Sequence, residues 1–357
     1  MPPSIADTSA AQHPNIRVRA IMSNAIYLAS PGQPGGFFPT VIRQAVILAA
    51  GRGTRLGPLT KDRPKSMLPI AGKPIIARLM DCLYAGGIRE FIVVVGSDDR
   101  PIADYFGNNG YTDLDIVLAH QRRPTGTVDA LLQAAPYITG PFLLSAVDNI
   151  TSPAHVANLI ACFEVHPDHV AALSLLPTTS DEIRRSSDVL IDGDRIAGIE
   201  EKPANPRSGY AAIMLYAFSK RILDYLPAVQ ISARGEREIA SAIQASIEDG
   251  GRVGYAITDW RLHLTQDADL LAINRYFLQH DQEHSILSDL PGTVEIIPPI
   301  RVDPGVTIGP RAILGPNVYL EQGSMVGERA WLSDCVVLRG STVAPGTHLS
   351  HQIIASS

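Results

Sequence analysis

From Gln44 onward the apolar residues come in short continuous runs. Ala45-Val46-Ile47-Leu48-Ala49, Phe91–Val95, Asp115–Ala119, Phe142–Val147 and Val170–Leu176 are each of strand length and bounded by turn residues. Runs of that kind mark strands buried on both faces. Between them Lys73–Ala85, Thr127–Tyr137 and His155–Val165 read as helices, with Pro74 suited to a first turn. Apolar strands alternating with helices predict an α/β fold built on a doubly wound, mainly parallel sheet. Asp188–Ile196 reads instead as a hairpin turning at Asp192-Gly193. Gln266–Leu287 reads as a helix that leaves this domain.

The period then changes to six. From Ile300 the third place of successive hexads holds Val302, Ile308, Leu314, Leu320, Val326, Leu332, Leu338 and Ala344, and Gly follows it at Gly309, Gly315 and Gly327. This is the hexapeptide pattern of a parallel β-helix, here about three coils long. So short a helix exposes its faces, so it is expected to pack on the preceding domain or on another copy of the chain, making a homo-oligomer. The predicted organisation is a poorly ordered tail over 1–43, an α/β domain over 44–265, a helical linker over 266–290 and the β-helix over 291–357. The tail has the breaker cluster Ser30–Gly36, and Ile21–Ala29 is too polar for a secretory signal. A tail, a true start at Met22, or a transit peptide or functional arm all fit it.

Composition narrows the classes. A chain of 357 residues with 45% hydrophobic and 18% charged residues is globular and about two domains long. A net charge of −6 counts against nucleic acid as partner, and no apolar run is long enough for a membrane span. Three scattered cysteines, Cys82, Cys162 and Cys335, argue against a disulfide framework or a Cys-ligated metal and fit the cytoplasm.

The densest chemical signal is Leu48-Ala49-Ala50-Gly51-Arg52-Gly53-Thr54-Arg55-Leu56, followed by Pro64-Lys65-Ser66-Met67-Leu68-Pro69-Ile70. Glycines directly after a buried strand let backbone N–H groups approach a phosphate chain. Arg52 and Arg55 add forked donors and Lys65 a point charge. The pattern is neither a Walker A motif nor a complete dinucleotide fingerprint.

The string from Leu48 to Ile75 resembles the N-terminal signature of the sugar-1-phosphate nucleotidyltransferases, which make NDP-sugars from an NTP and a sugar 1-phosphate. The resemblance continues in order. His120–Thr127 looks like the family's base-recognition loop, Val147-Asp148-Asn149 ends a strand where the family places a metal-binding aspartate, and Glu200-Glu201-Lys202-Pro203 matches its Glu-Lys-Pro element. It implies a Rossmann-like nucleotidyltransferase domain followed by a short left-handed β-helix. It also implies roles: Arg55 and Lys65 in catalysis, and Ala50, Gly51, Arg52, Gly53, Thr54, Gln121, Gly126 and Thr127 on the nucleotide. Glu201, Lys202, Ala212 and Met214 would face the acceptor, and Asp148 would bind Mg²⁺.

Three departures stand out. Where the family has a second metal aspartate shortly after a Trp, Trp260 is followed by Arg261-Leu262-His263-Leu264-Thr265, and Asp259 is the nearest substitute. The family's Asn-x-Gly before a Tyr-x-Phe strand is Ala212-Ile213-Met214 here, and its Gly before the metal aspartate is Val147. The altered acceptor wall points to an unusual acceptor, such as the valienol 1-phosphate used by one branch. The Pro124–Leu131 loop resembles guanylyltransferase and archaeal-type thymidylyltransferase loops, which points toward GTP. The alternatives are glucose-1-phosphate thymidylyl- or adenylyltransferase, mannose-1-phosphate guanylyltransferase, an added acyltransferase in the β-helix, and a non-catalytic regulatory paralogue. His155, His166, His169, His280 and His284 show no ligand spacing and read as surface or capping residues.

Overall fold

The computed structural model describes residues 17–20, 42–51, 53–96, 100–108, 111, 114–123, 125–281 and 286–356. The expected tail lies outside these except for Ile42, Arg43 and the strand Arg17–Ala20, which pairs antiparallel with Leu114–His120. His284 and Arg52 also lie outside them.

Four parallel strands form the centre of the sheet. Gln44–Leu48 is flanked by Glu90–Val95 and Phe142–Ala146, and Leu114–His120 lies beyond Glu90–Val95. The inner three, Gln44–Leu48, Glu90–Val95 and Phe142–Ala146, are buried along most of their length because helices cover both faces, while Leu114–His120 exposes Asp115. Ile75–Ala85 and Pro153–Glu164 pack on one side, Thr127–Ala134 and Ile239–Glu248 on the other. Past Phe142–Ala146 the sheet turns antiparallel, through Tyr210–Phe218 to the hairpin Ser187–Asp192 and Arg195–Glu201. Gly193 sits at the hairpin turn with φ 61°, the left-handed region that Gly enters freely.

Two expectations about single residues change. His155 and His169 are buried, not surface residues. His155 is on the sheet-facing side of its helix and bonds Ser174 Oγ through Nε2 at 2.8 Å, and His169 pairs its Nδ1 with the Phe163 carbonyl at 3.0 Å. Burial holds both imidazoles below the usual range. The linker helix is also shorter than expected: it spans Asp267–His280, capped by Gln266 and Asp269. Asp281 leaves helical geometry to pair with Arg78 at 2.6 Å, and Ile286 already bridges to Val302.

The β-helix has the predicted parallel coils with one change of phase. Glu295 stacks on Ile313 and Ile313 on Trp331, eighteen residues apart, which is three hexads. Val318 and Leu320 then stack on Cys335 and Val337, seventeen residues on. One residue is missing from the corner at Ser333-Asp334, where Asp334 takes φ 48°. The interior places expected at Leu338 and Ala344 therefore pass to Val337 and Val343, with Cys335 inside between Leu332 and Val337; Ala344 is exposed. Leu338 turns outward and, with Tyr319 and Val336, joins the apolar cluster of the α/β domain.

Between the sheet and the β-helix runs the segment after Pro64, held by side chains from elsewhere. Asn274, fully buried, accepts from the Ala71 N–H at 2.8 Å and donates to the Pro69 and Leu270 carbonyls at 3.1 and 2.9 Å. Arg78, stacked over Phe277, donates to the Ile70 and Ala71 carbonyls at 3.1 and 2.9 Å. Asn274→Ala leaves the Ala71 N–H and the Pro69 carbonyl unpaired in the interior, each at about 1–3 kcal/mol. The expected loss is about 2–4 kcal/mol in urea unfolding; a loss below about 1 kcal/mol would mean that the loop is not held there.

Candidate active site

In an open α/β sheet the backbone donors and side chains beyond the C-terminal strand ends converge on one crevice. Here the ladder runs one residue past the strands: Ala49 N–H donates to the Val94 carbonyl at 2.8 Å, Gln121 N–H to Val95 at 2.8 Å and Val147 N–H to Leu48 at 3.2 Å. Three of the predicted segments, Ala50–Thr54, Gln121–Thr127 and Asp148, are thereby set side by side.

Gly51 has open space around its Cα, and Gly53 takes φ 63°. A side chain on Gly53 would come within 3.0 Å of Lys65 Cβ, so the turn and Lys65 are packed against one another. Thr54 and Arg55 begin a 3₁₀ stretch, Thr54–Thr60, and both are exposed. Lys65 opens a second such turn, Lys65–Met67, behind Pro64. Its ammonium forms an ion pair with Asp148. Ala50 is half-buried at the mouth.

Asp148 is the hub of the charges here. The short strand Leu262–His263 pairs with Asn149–Ile150, and Leu264 N–H donates to the Asp148 carbonyl at 3.0 Å. That register brings His263 Nε2 within 3.7 Å of Asp148 Oδ2. Loss of water around His263 pulls its imidazole below the usual range; Asp148 pulls the other way, and Arg261 and Lys65 add to the lowering. Burial likewise pulls the Arg261 guanidinium down, against Glu182 and Asp148. Asp259 is exposed, and no group of three His, Cys, Asp or Glu able to hold a metal occurs among the described residues. One carboxylate is too little for a cage made of protein alone. It fits Mg²⁺, which keeps waters and takes substrate phosphate oxygens as further ligands.

The base loop is braced from the far side of the domain. Gly126 has φ 121°, and a Cβ there would lie 2.4 Å from the Arg237 carbonyl oxygen, so only Gly fits. Thr127 Oγ1 accepts from the Ile239 N–H at 2.9 Å, and Asp129 pairs with Arg237 at 2.7 Å. Gln121 is buried and donates to the Gly126 carbonyl at 3.2 Å.

On the acceptor side Ser187 Oγ donates to Glu201 Oε2 at 3.1 Å, and Lys202 Nζ lies 3.8 Å from Glu201 Oε1. Burial raises the Glu201 carboxyl above its usual range, although Lys202 and Ser187 oppose it. Lys202 takes φ 47°, uncommon for a side-chain-bearing residue, at the strand end before Pro203. Ala212 is packed in the interior, while Met214, on the same face of its strand, is half-buried. Sequence reasoning overlooked Arg234, which pairs with Glu238 and lines with Glu201 and Ser232 a pocket of about 320 Å³. Its signal was present as the run Ser232-Ala233-Arg234-Gly235 just before a helix.

The nucleotidyl transferase family matches residues 44–261, and the GMPPB C-terminal domain matches residues 296–357. The glucose-1-phosphate thymidylyltransferase of Streptomyces antibioticus is 30% identical over 277 residues, 77% of each chain. The UTP–glucose-1-phosphate uridylyltransferase AglF of Haloferax volcanii is 35% identical over 230 residues, 63% of this chain and 93% of that one. The bifunctional protein GlmU of Methanocaldococcus jannaschii is 28% identical over 341 residues, 88% of this chain and 78% of that one. A UDP-glucose pyrophosphorylase solved in complex with UDP-glucose superposes with a TM-score of 0.61 at 21% identity, covering 67% of this chain and 99% of its own, a likeness of fold.

The raised Glu201 carboxyl makes a pH prediction. The folded protein keeps this proton to a higher pH than the unfolded chain, so holding Glu201 ionised lowers stability as pH rises through that window. Glu201→Gln removes the cost. Its melting temperature, compared with the parent protein's, should gain more at about pH 8 than at about pH 4. A gain that is equal or larger at the acid end would show that Glu201 is not held in a desolvated pocket.

Proposed function

The chain belongs to the nucleotidyl transferase family, and on that premise we propose that it joins a nucleoside triphosphate, preferably GTP, to a sugar-like 1-phosphate with release of pyrophosphate. The observation that carries this reading is the Lys65–Asp148 ion pair at the strand ends. It sets a cation and a carboxylate beside the glycine turn, where a triphosphate would meet its acceptor.

In this reading an acceptor phosphate oxygen attacks the α-phosphorus in line. The bond to the bridging oxygen breaks, and its electron pair leaves with pyrophosphate. Two polyanions repel, so the barrier falls mainly through positioned cations. Lys65 offsets charge on the α-phosphate and the incoming phosphate. The Gly51–Thr54 backbone, Arg52 and Arg55 hold the leaving pyrophosphate. Gln121, Gly126 and Thr127 frame the base, Lys202 holds the acceptor phosphate and Glu201 an acceptor hydroxyl. When bound at Asp148, Mg²⁺ supplies further charge to the α-phosphate oxygens. No covalent nucleophile is needed, and burial pushes the Cys82 thiol up to about 12.

Met214 gives the acceptor a soft apolar wall where the family has a small residue, which supports a ring less polar than glucose, such as unsaturated valienol 1-phosphate. Ala212 faces the interior, so its replacement changes the floor and not the contact surface. A second reading, thymidylyl transfer to glucose 1-phosphate, is favoured by the Streptomyces antibioticus relative's sequence identity.

A matrix of nucleoside triphosphates against sugar and cyclitol 1-phosphates, read by pyrophosphate release with Mg²⁺, tests both readings. The cyclitol with GTP is expected to lead. Glucose 1-phosphate with dTTP leading would select the second reading, and no release in any combination would leave a non-catalytic paralogue. Lys65→Ala should lower kcat/KM by about tenfold or more, since a charge-assisted phosphate contact is lost. Asp148→Asn should leave folding intact but abolish Mg²⁺-dependent turnover; full activity in both variants would sink the site. Met214→Gly should move acceptor preference toward glucose 1-phosphate by about tenfold; an unchanged preference would assign Met214 no part in it.

A further inference from the structure

We propose that the β-helix is part of the catalytic machinery, with Arg63 and Glu321 as positioning residues that hold the segment carrying Arg55 and Lys65. Only the assignment of those two cations to phosphate rests on the function proposed above; the clamp itself rests on contacts in the structure.

Arg63 and Glu321 lie 258 positions apart and form a two-pronged ion pair, Nη1 to Oε1 at 2.5 Å and Nη2 to Oε2 at 3.0 Å. Their side chains are 9% and 12% exposed. A fork of this kind fixes direction as well as distance. Glu321 is itself fixed. Its backbone N–H donates to the Val337 carbonyl at 2.9 Å, and its Oε2 accepts from the Arg339 N–H at 2.8 Å. The Arg339 guanidinium then donates to the Asp62 carbonyl at 3.0 Å. Two successive residues, Asp62 and Arg63, are thus gripped by stacked corners of two coils.

Only Pro64 separates Arg63 from Lys65, and its ring fixes φ at −66°. A displacement at Arg63 is therefore passed in large part to the Lys65 backbone, from which its ammonium reaches Asp148. Upstream, Leu56 and Leu59 seat the Thr54–Thr60 stretch in the apolar cluster of the α/β domain, while its backbone bonds among the described residues are short-range, such as Leu56 N–H to Gly53 and Lys61 N–H to Pro58. Apolar packing and the Lys65–Asp148 pair place this stretch on the sheet, and the fork at Arg63 adds a directional anchor between Arg55 and Lys65's downstream neighbours. The downstream side is set by Arg78 and Asn274, and Gly72 lies so close to Arg301 that a Cβ would sit 1.9 Å from the guanidinium Nε. The segment is thus supported by the β-helix at Asp62-Arg63 and again at Gly72.

The test uses the full chain with Glu321→Gln, which weakens the fork, and with Arg63→Met plus Glu321→Met, which removes both charges while keeping bulk. Hydrogen exchange is followed peptide by peptide alongside steady-state kinetics. The expected result is exchange over residues 54–68 faster by about tenfold, with the strand 142–146 unchanged. In turnover, kcat should fall about tenfold while KM for the acceptor changes by less than about threefold, because Glu201 and Lys202, which hold the acceptor in the proposed reading, are on other elements. If Glu321→Gln alone fails to fold, the double Met variant gives the same reading without an unpaired charge. Unchanged exchange over 54–68 in a folded variant overturns the proposal, as does unchanged turnover with faster exchange. A parent protein that releases no pyrophosphate from any triphosphate would overturn the function reading, while the exchange result still decides the clamp.

Discussion

Cationic side chains set close together repel one another, and at these strand ends a single carboxylate offsets that repulsion. Asp148 pairs with Lys65, lies 3.7 Å from His263 and acts on Arg261. Its own place follows from the sheet: Val147 is tied to Leu48, and Leu264 is tied to Asp148. The mouth of the crevice can therefore keep Lys65 and Arg261 near one another, with the His263 imidazole held toward its neutral form. Under the proposed function, an entering phosphate would take Lys65 from Asp148 and free a carboxylate oxygen for other partners. In the reading proposed above, ground-state neutralisation and substrate capture are two uses of one side chain.

That arrangement explains how the parts of the chain divide the work. The parallel strands aim the loops, but they do not hold them. Holding falls to elements far off in sequence: Arg237 and Ile239 brace the base loop, and Asn274 and Arg78 brace the segment at Ile70-Ala71. The β-helix braces Asp62 and Arg63. Tyr319, Val336 and Leu338 extend the apolar cluster of the α/β domain into the coils, so the two share one interior.

Much of this was legible in the sequence, for a physical reason. Strand ends, glycine turns and the charged residues next to them are local, so Gly51, Gly53 and Lys65 announce themselves by pattern, and Asp148 and Lys202 by the family resemblance of their short motifs. The buried histidines do not, because whether His155 faces water depends on which strand its helix packs against. The end of the linker helix was equally hidden: Asp281 leaves it for Arg78, a partner two hundred residues earlier. Arg63 and Glu321 carry no local signal for the same reason: each one's partner lies 258 positions away. His263 was visible only as an oddity after Trp260, and pairing with Asn149 is what gives it a neighbour.

The missing residue at the Ser333-Asp334 corner has a consequence that reaches beyond its coil. In a stack of this kind, inside and outside are decided by counting positions, not by the chemistry of each residue. Dropping one position exchanges the two faces for everything downstream, so Val337 goes in and Leu338 comes out to meet the α/β domain. Replacing an interior leucine by an outward one required no new side chain. An insertion or deletion at a corner can therefore create a docking surface and a new core register in a single event. Point substitutions would need several coordinated changes to do the same, which makes corners of this solenoid the places where its attachment to a partner domain is most readily rewritten.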